Sequence, residues 1–210
     1  MSTQTQQTQR TLAKAQERVL NTLCCIGYVS EVGEVKVTES GNYIGASFKL
    51  AGLKGSRNSF HTIYLRPEWL EAGFTPDDET SESFMYRKAM GTASTLGGIE
   101  GILGKDNVGA FLTDLDSRGP VTPDTIKESL VKHFSGDHQG DKLGYILKQK
   151  SDKTDQVDDN GKNIYVRTNN YEVSEWFDAN DEKVIKSMVK RASKEPKEGY
   201  PKFIIAFEVD

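Results

Sequence analysis

At 210 residues the chain is long enough for one domain with a sizeable core. Hydrophobic residues make up 36% and charged residues 28%, and no apolar run approaches the ~18 residues needed to span a bilayer, so a somewhat polar globular chain is expected. The formal net charge of -4 excludes a uniformly basic surface that would coat duplex DNA, but not a local basic groove.

The first ten residues are rich in Gln and Thr and carry no apolar segment of a secretory signal, so a disordered tail is predicted over 1–10, with one domain over 11–210. Leu12, Ala15, Val19, Leu20 and Leu23 fall near one stripe and predict a short amphipathic helix over Thr11–Leu23. Cys24 and Cys25 are the only cysteines, and a bridge between neighbours is strained. Reduced, buried thiols and a cytoplasmic setting are expected.

From Ile26 to Leu65 the texture is that of strands. Val29, Val32, Val35 and Val37 are β-branched, and Gly33 among them predicts a bulge or bend. Glu39-Ser40-Gly41-Asn42 reads as a hairpin turn. Over Tyr43–Leu50 the chain alternates, with Ile44, Ala46, Phe48 and Leu50 on one face and Tyr43, Ser47 and Lys49 on the other. A loop comes next over Leu53–Ser59, then a strand over Phe60–Leu65, closed by Arg66-Pro67.

A helical insertion is predicted over about 67–140. It holds a short turn at Glu68–Ala72, a helix over Thr80–Leu96, a stretch weakened by glycines at 97, 98, 101 and 104, and a helix to Phe134. That last helix is opened by Thr122 as N-cap and Pro123 at its first position. Strand texture returns at Leu143–Lys150. A long acidic loop is predicted over Ser151–Gly161, ending in the turn Asp158-Asp159-Asn160-Gly161. The strand Lys162–Tyr171 pairs back. On it Ile164 and Val166 should face one side, and Tyr165, Arg167 and Tyr171 the other. A helix over Asp181–Lys194 and a strand over Phe203–Val209 complete the order.

Three strands, a helical stretch and two more strands is the chain order of an OB-fold, a five-stranded Greek-key barrel. The predicted class is therefore mainly β with α insertions: an OB-fold-like barrel with added helices and a C-terminal strand. In that fold strands 2 and 3 and two flanking loops line a groove. Those places hold Tyr43, Lys49, Phe60, Tyr64, Lys148, Lys150, Lys162, Tyr165 and Arg167. Rings interleaved with cations suit unpaired bases and the phosphates that join them. Phe60, Thr62 and Tyr64 share a face that is either core or groove. Tyr43 and Tyr165 are favoured as stackers, because apolar residues occupy the other face of each strand.

Other chemistry is poorly supported. His133, Asp137, His138 and Asp141 form a polar loop without cysteine, read as solvated rather than as a zinc site. The acidic loop fails the EF-hand spacing, and Gly104-Lys105 is followed by Asp106, with Ile99 at the first glycine position of a phosphate loop. No nucleophile elbow or triad order is present, so neither an enzyme nor a cofactor is predicted.

The strand set Ile26–Leu65, the hairpin Leu143–Tyr171 with its Asp158–Gly161 turn, and the terminal Phe203–Val209 together resemble phage-type single-stranded DNA-binding proteins with an OB-fold. The resemblance is one of architecture and covers about two thirds of the chain. It implies sequence-tolerant coating of single strands in replication or recombination, in a host cytoplasm if the source is viral, with replication or recombination proteins as partners. The flexible acidic tail through which many relatives recruit partners is not matched, since the chain ends Glu208-Val209-Asp210 after a strand. The alternative is a β-barrel protein-interaction or virion-assembly module without nucleic-acid binding, favoured by the negative charge and the amphipathic Thr11–Leu23 segment.

Overall fold

The computed structural model describes residues 21–74, 80–90, 98–134, 142–197 and 200–208. Its framework is a mainly antiparallel six-stranded sheet. The strands are β1 (Asn21–Val37), β2 (Ile44–Gly52), β3 (Ser59–Leu65), β4 (Leu143–Val157), β5 (Asn163–Phe177) and β6 (Lys202–Ile205). The helices are α1 (Ser81–Met90), α2 (Ile99–Leu103), α3 (Lys105–Ser117), α4 (Pro123–His133) and α5 (Glu182–Ala192), with a 3-10 turn at Pro67–Leu70.

The strand order is β3-β2-β1-β4-β5, and β6 adds to β1 in parallel. β1 is long because it serves three partners. Its first half pairs with β4 (Thr22–Gly27 against Lys148–Leu143) and with β6, and its second half pairs with β2. The register against β2 shifts between Val32 and Val35, around Gly33, where the sequence predicts a bulge. β3 and β5, at the two ends of the path, approach each other. His61 meets Trp176 edge to face, ring centroids 5.2 Å apart. No hydrogen-bonded ladder joins them among the described residues, so the sheet is open.

The main core lies on one side of the sheet. Ile44, Ala46, Phe48 and Leu50 of β2 meet Ile63 and Leu65 of β3 and Tyr145 and Leu147 of β4. The helices join this same core through Met90, Ile99, Phe111, Leu115, Ile126 and Leu130. A smaller cluster lies on the other side, where α5 sets Ile185 and Met188 against Cys24, Ile26, Phe177 and Phe203. The first half of β1 is thus covered on both faces, which explains its unbroken apolar run. Cys24 and Cys25 face opposite clusters as free, fully buried thiols. Loss of hydration pushes the Cys24 thiol up to about 12.

Several boundaries differ from the sequence reading. Residues 11–20 of the predicted first helix lie outside the described residues, and Asn21–Leu23 open β1 instead. The predicted helix over Thr80–Leu96 is seen over Ser81–Met90, the remainder lying outside the described residues. Within the predicted helical insertion, α2 forms in the stretch read as weakened by glycines, and α3 follows it where no separate helix was delimited. The acidic stretch Ser151–Val157 is strand rather than loop, held by its ladder to β5. The Thr122 cap is as expected: its hydroxyl accepts from the Thr125 N–H, and the Thr125 hydroxyl is hydrogen-bonded by the Thr122 N–H. Asp137, His138 and Asp141 of the polar loop lie outside the described residues.

α3 and α4 are locked by Asp114. Its carboxylate accepts from Arg118 Nε at 2.7 Å, from the Ser129 hydroxyl and from Lys132 Nζ, while Arg118 also reaches Glu128 at 2.7 Å. The Arg118 hydrogen bond, then those of Lys132 and Ser129, hold the carboxyl well below the usual carboxylate range. A depressed carboxyl stabilises the fold above its unfolded-state value near ~3.9 and loses that contribution as pH falls below it. Asp114→Asn is therefore expected to lower the melting temperature at neutral pH, with the gap to wild type narrowing as pH drops below about 4. A pH-independent gap in thermal scans would assign the loss to packing instead.

Candidate nucleic-acid interface

The alternation of β2 sends Ile44, Ala46, Phe48 and Leu50 inward, which leaves Gly45, Ser47, Lys49 and Ala51 on the outer face. Pairing then fixes what stands beside them. Tyr64 lies opposite Gly45, Thr62 opposite Ser47, and Phe60 opposite Lys49. β1 extends the rows, with Lys36 beside Gly45, Glu31 beside Lys49 and Tyr28 beside Ala51. Phe60 is 69% exposed and Tyr64 56%, the most open aromatic pair on the sheet. Strand rise separates their Cα atoms by about 13 Å. Between them the Ser47 and Thr62 hydroxyls share a hydrogen bond of 3.1 Å. The Tyr64 ring leans over Gly45: a methyl there would meet the ring edge at 3.6 Å. The absence of a side chain at 45 keeps the row flat.

Lys49 pairs with Glu31, and Lys36 with Glu34 at 2.8 Å, all on the surface. Exposed pairs of this kind are worth little, so a phosphate can displace either carboxylate at small cost.

The remaining predicted residues fall into separate places. Tyr43 precedes β2 and is half-buried, edge to face with Trp69 at 6.1 Å, with the Arg66 guanidinium 5.3 Å from its ring centre. Its ring is occupied by core packing and is not presented beside Phe60. Lys148 and Lys150 are exposed on β4, and Lys150 pairs with Glu172 at 3.0 Å. Lys162 lies in the turn where Asp158 accepts its backbone N–H at 2.9 Å. Tyr165, 38% exposed, stands opposite Lys153, and Arg167 stands opposite Ser151, on the ribbon that β4 and β5 extend beyond the core. Ile164 is buried and Val166 half-buried, matching the predicted alternation. Tyr171 leaves that set. Register shifts between Arg167 and Tyr171 bring it against the core, where the Arg57 guanidinium lies 4.5 Å from its ring centre. The structure thus gathers Phe60, Tyr64 and Lys49 on one face and carries Tyr165 and Arg167 on a neighbouring ribbon.

Sequence reasoning missed Tyr28 and Lys36. Tyr28 sits on β1 beyond two register shifts that no signal in the chain alone reveals, whereas Lys36 lies just before the predicted hairpin turn, opposite Gly45, where pairing across that turn could have found it. It also missed a cavity of ≈ 230 Å³ at the seam between β3, β5 and α1, lined by His61, Tyr64, Met85, Lys88, Val173 and Trp176. Gly101 backs the Trp176 indole so closely that a methyl would lie 2.8 Å from the ring.

The loop between β2 and β3 is pinned from both sides. Tyr145 Oη donates to the Arg57 carbonyl at 2.7 Å, and Arg57 Nη2 donates to the Asn169 carbonyl at 3.0 Å. These bonds tie the β2–β3 loop to β4 and β5. No family model, curated protein or solved structure matches the chain.

Proposed function

We propose that the chain binds single-stranded DNA without strong sequence preference, protecting exposed strands in replication or recombination, and that its sheet is a partly open OB-type barrel. The observation that carries the reading is the outer face of β2 and β3, where exposed Phe60 and Tyr64 flank a row of small residues beside Lys49. Stacking on a ring accepts every base, because every base has a π-face, and each stack contributes about 1–3 kcal/mol. The strand order, with β3 and β5 meeting at a seam, supports the barrel, and the face in question is the one such barrels use. The predicted cations divide between this face and the β4–β5 hairpin. Lys49 and Lys36 lie beside the rings, and Lys148, Lys150, Lys162 and Arg167 on β4, β5 and their turn. The resemblance to phage-type binding proteins points the same way.

Fluorescence titration with oligothymidine tests this. Salt-sensitive binding is expected, with log affinity falling linearly against log salt. Arg167→Ala is expected to flatten that slope by roughly 0.7, the share of one phosphate on a single strand. Absence of any binding at low ionic strength would overturn the reading and leave the sheet as a protein-interaction or assembly surface.

A further inference from the structure

Around α5 the charge balance reverses. From Glu182 to Lys202 the sequence holds seven Lys and Arg against three Glu, a net of +4 in a chain of -4. α5 is strongly two-sided. Ile185 and Met188 pack on the sheet, while Lys183, Lys186, Lys190 and Lys194 recur at spacings of three and four residues. At 3.6 residues per turn Lys183, Lys186 and Lys190 fall within about 60° of arc, opposite the apolar side, and Lys194 follows just past the end of the helix. All four are exposed. Lys186 also meets Glu182 at 3.0 Å, and both side chains are largely in water. The Arg191 guanidinium lies 4.2 Å from the ring centre of Phe203, which braces the helix on β6. Tyr200, 63% exposed, stands between Lys197 and Lys202 in the chain.

The position of this stripe ties it to the aromatic face. Phe60 pairs with Lys49, Lys49 shares its face with Ala51, and Ala51 pairs with Tyr28. Tyr28 shares its face with Ile26, against which α5 packs. α5 therefore covers one end of the sheet face whose other end displays Phe60 and Tyr64.

We propose that α5 and Tyr200 form a second contact for the same single strand, with the lysine stripe holding phosphates and Tyr200 offering a ring to a base. The proposal rests on the reading of the β2–β3 face as the primary site. It makes that site longer than the sheet alone: a short oligomer fills the aromatic face, and a longer one runs on across the helix. OB-type sites span about 4–16 nucleotides, which leaves room for both segments.

The test compares Lys183→Gln/Lys186→Gln/Lys190→Gln and, separately, Tyr200→Ala with wild type. Oligothymidines of about six and about twenty nucleotides are titrated over a salt series, chosen to fall on either side of such a site. All the altered side chains are exposed, so unchanged melting temperatures are expected. The triple variant should bind the short oligomer as wild type does. It should bind the long one roughly tenfold more weakly, with a salt slope shallower by about 2, three phosphates at roughly 0.7 each. Tyr200→Ala should weaken the long oligomer alone, with its slope kept. Equal binding of the long oligomer by wild type and triple variant would overturn the second contact while leaving the primary site standing. So would equal losses on both lengths, or weakened binding of polyglutamate with oligothymidine untouched, which would assign the stripe to an acidic protein. A wild-type chain that binds neither oligomer removes the primary site and this proposal together.

Discussion

Alanine at both Phe60 and Tyr64 is expected to cost oligothymidine affinity by at least about 30-fold, from two stacks of about 1–3 kcal/mol each. The salt slope should hold at its wild-type value, because no phosphate contact is removed. Fluorescence anisotropy over a salt series measures both quantities. The folded state should hardly register the change: both rings stand mostly in water, and exposed substitutions of this kind fall within about 0.5 kcal/mol. A double variant that binds as wild type does would move the site off this face. One that loses affinity through a flatter slope would show that the rings matter only by positioning cations.

The opposite pattern is expected one strand away. Phe48 is fully buried on β2, paired with Val32 and His61, and edge to face with Phe134 at 6.0 Å. Phe48→Ala should destabilise the fold by about 3–5 kcal/mol, through lost transfer energy and the cavity left behind. That is a large share of the roughly 5–15 kcal/mol that domains of this kind possess. Urea unfolding followed by circular dichroism measures it. A loss below about 1 kcal/mol would mean that β2 is not the centre of the core described above. Phe48 and Phe60 thus separate the two faces of one sheet: one substitution is read by unfolding, the other by binding.

How legible these roles were depends on the strand. β2 alternates cleanly, since Ile44, Ala46, Phe48 and Leu50 leave only small or charged residues for the other side, and its faces could be read directly. β3 could not be oriented. Phe60, Thr62 and Tyr64 look as apolar as His61, Ile63 and Leu65, and only the assembled burial decides between them. Tyr43 misled because it stands in the turn before β2, where it can rotate onto Trp69, and not on the strand whose alternation it was assigned. α2 was hidden by its glycines, which packing explains: Gly101 must be bare to admit Trp176. α3 carried a usable signal in Val108, Phe111, Leu112 and Leu115, spaced at i, i+3, i+4 and i+7, which nearby Gly104 and Gly109 obscured. Ser151–Val157 has the composition of a loop and becomes strand through pairing with β5, a case of tertiary context overriding local preference. The parallel docking of β6 on β1 leaves no local trace.

That docking sets an order of assembly. Asn21 pairs with Lys202, so closing the ladder directly from an open chain would cost roughly 4–5 kcal/mol in loop entropy. The β1–β2–β3 meander and the β4–β5 hairpin close much shorter loops and should form first, and joining β1 to β4 then shortens the path that remains. β6 and α5 come last. They are also the least anchored, since β6 pairs over only four residues and α5 buries none completely. The α5–β6 arm is thus placed to detach and redock while the sheet stays whole, and its amides should exchange with solvent ahead of those of β2. A strand laid across the lysines would slow that exchange.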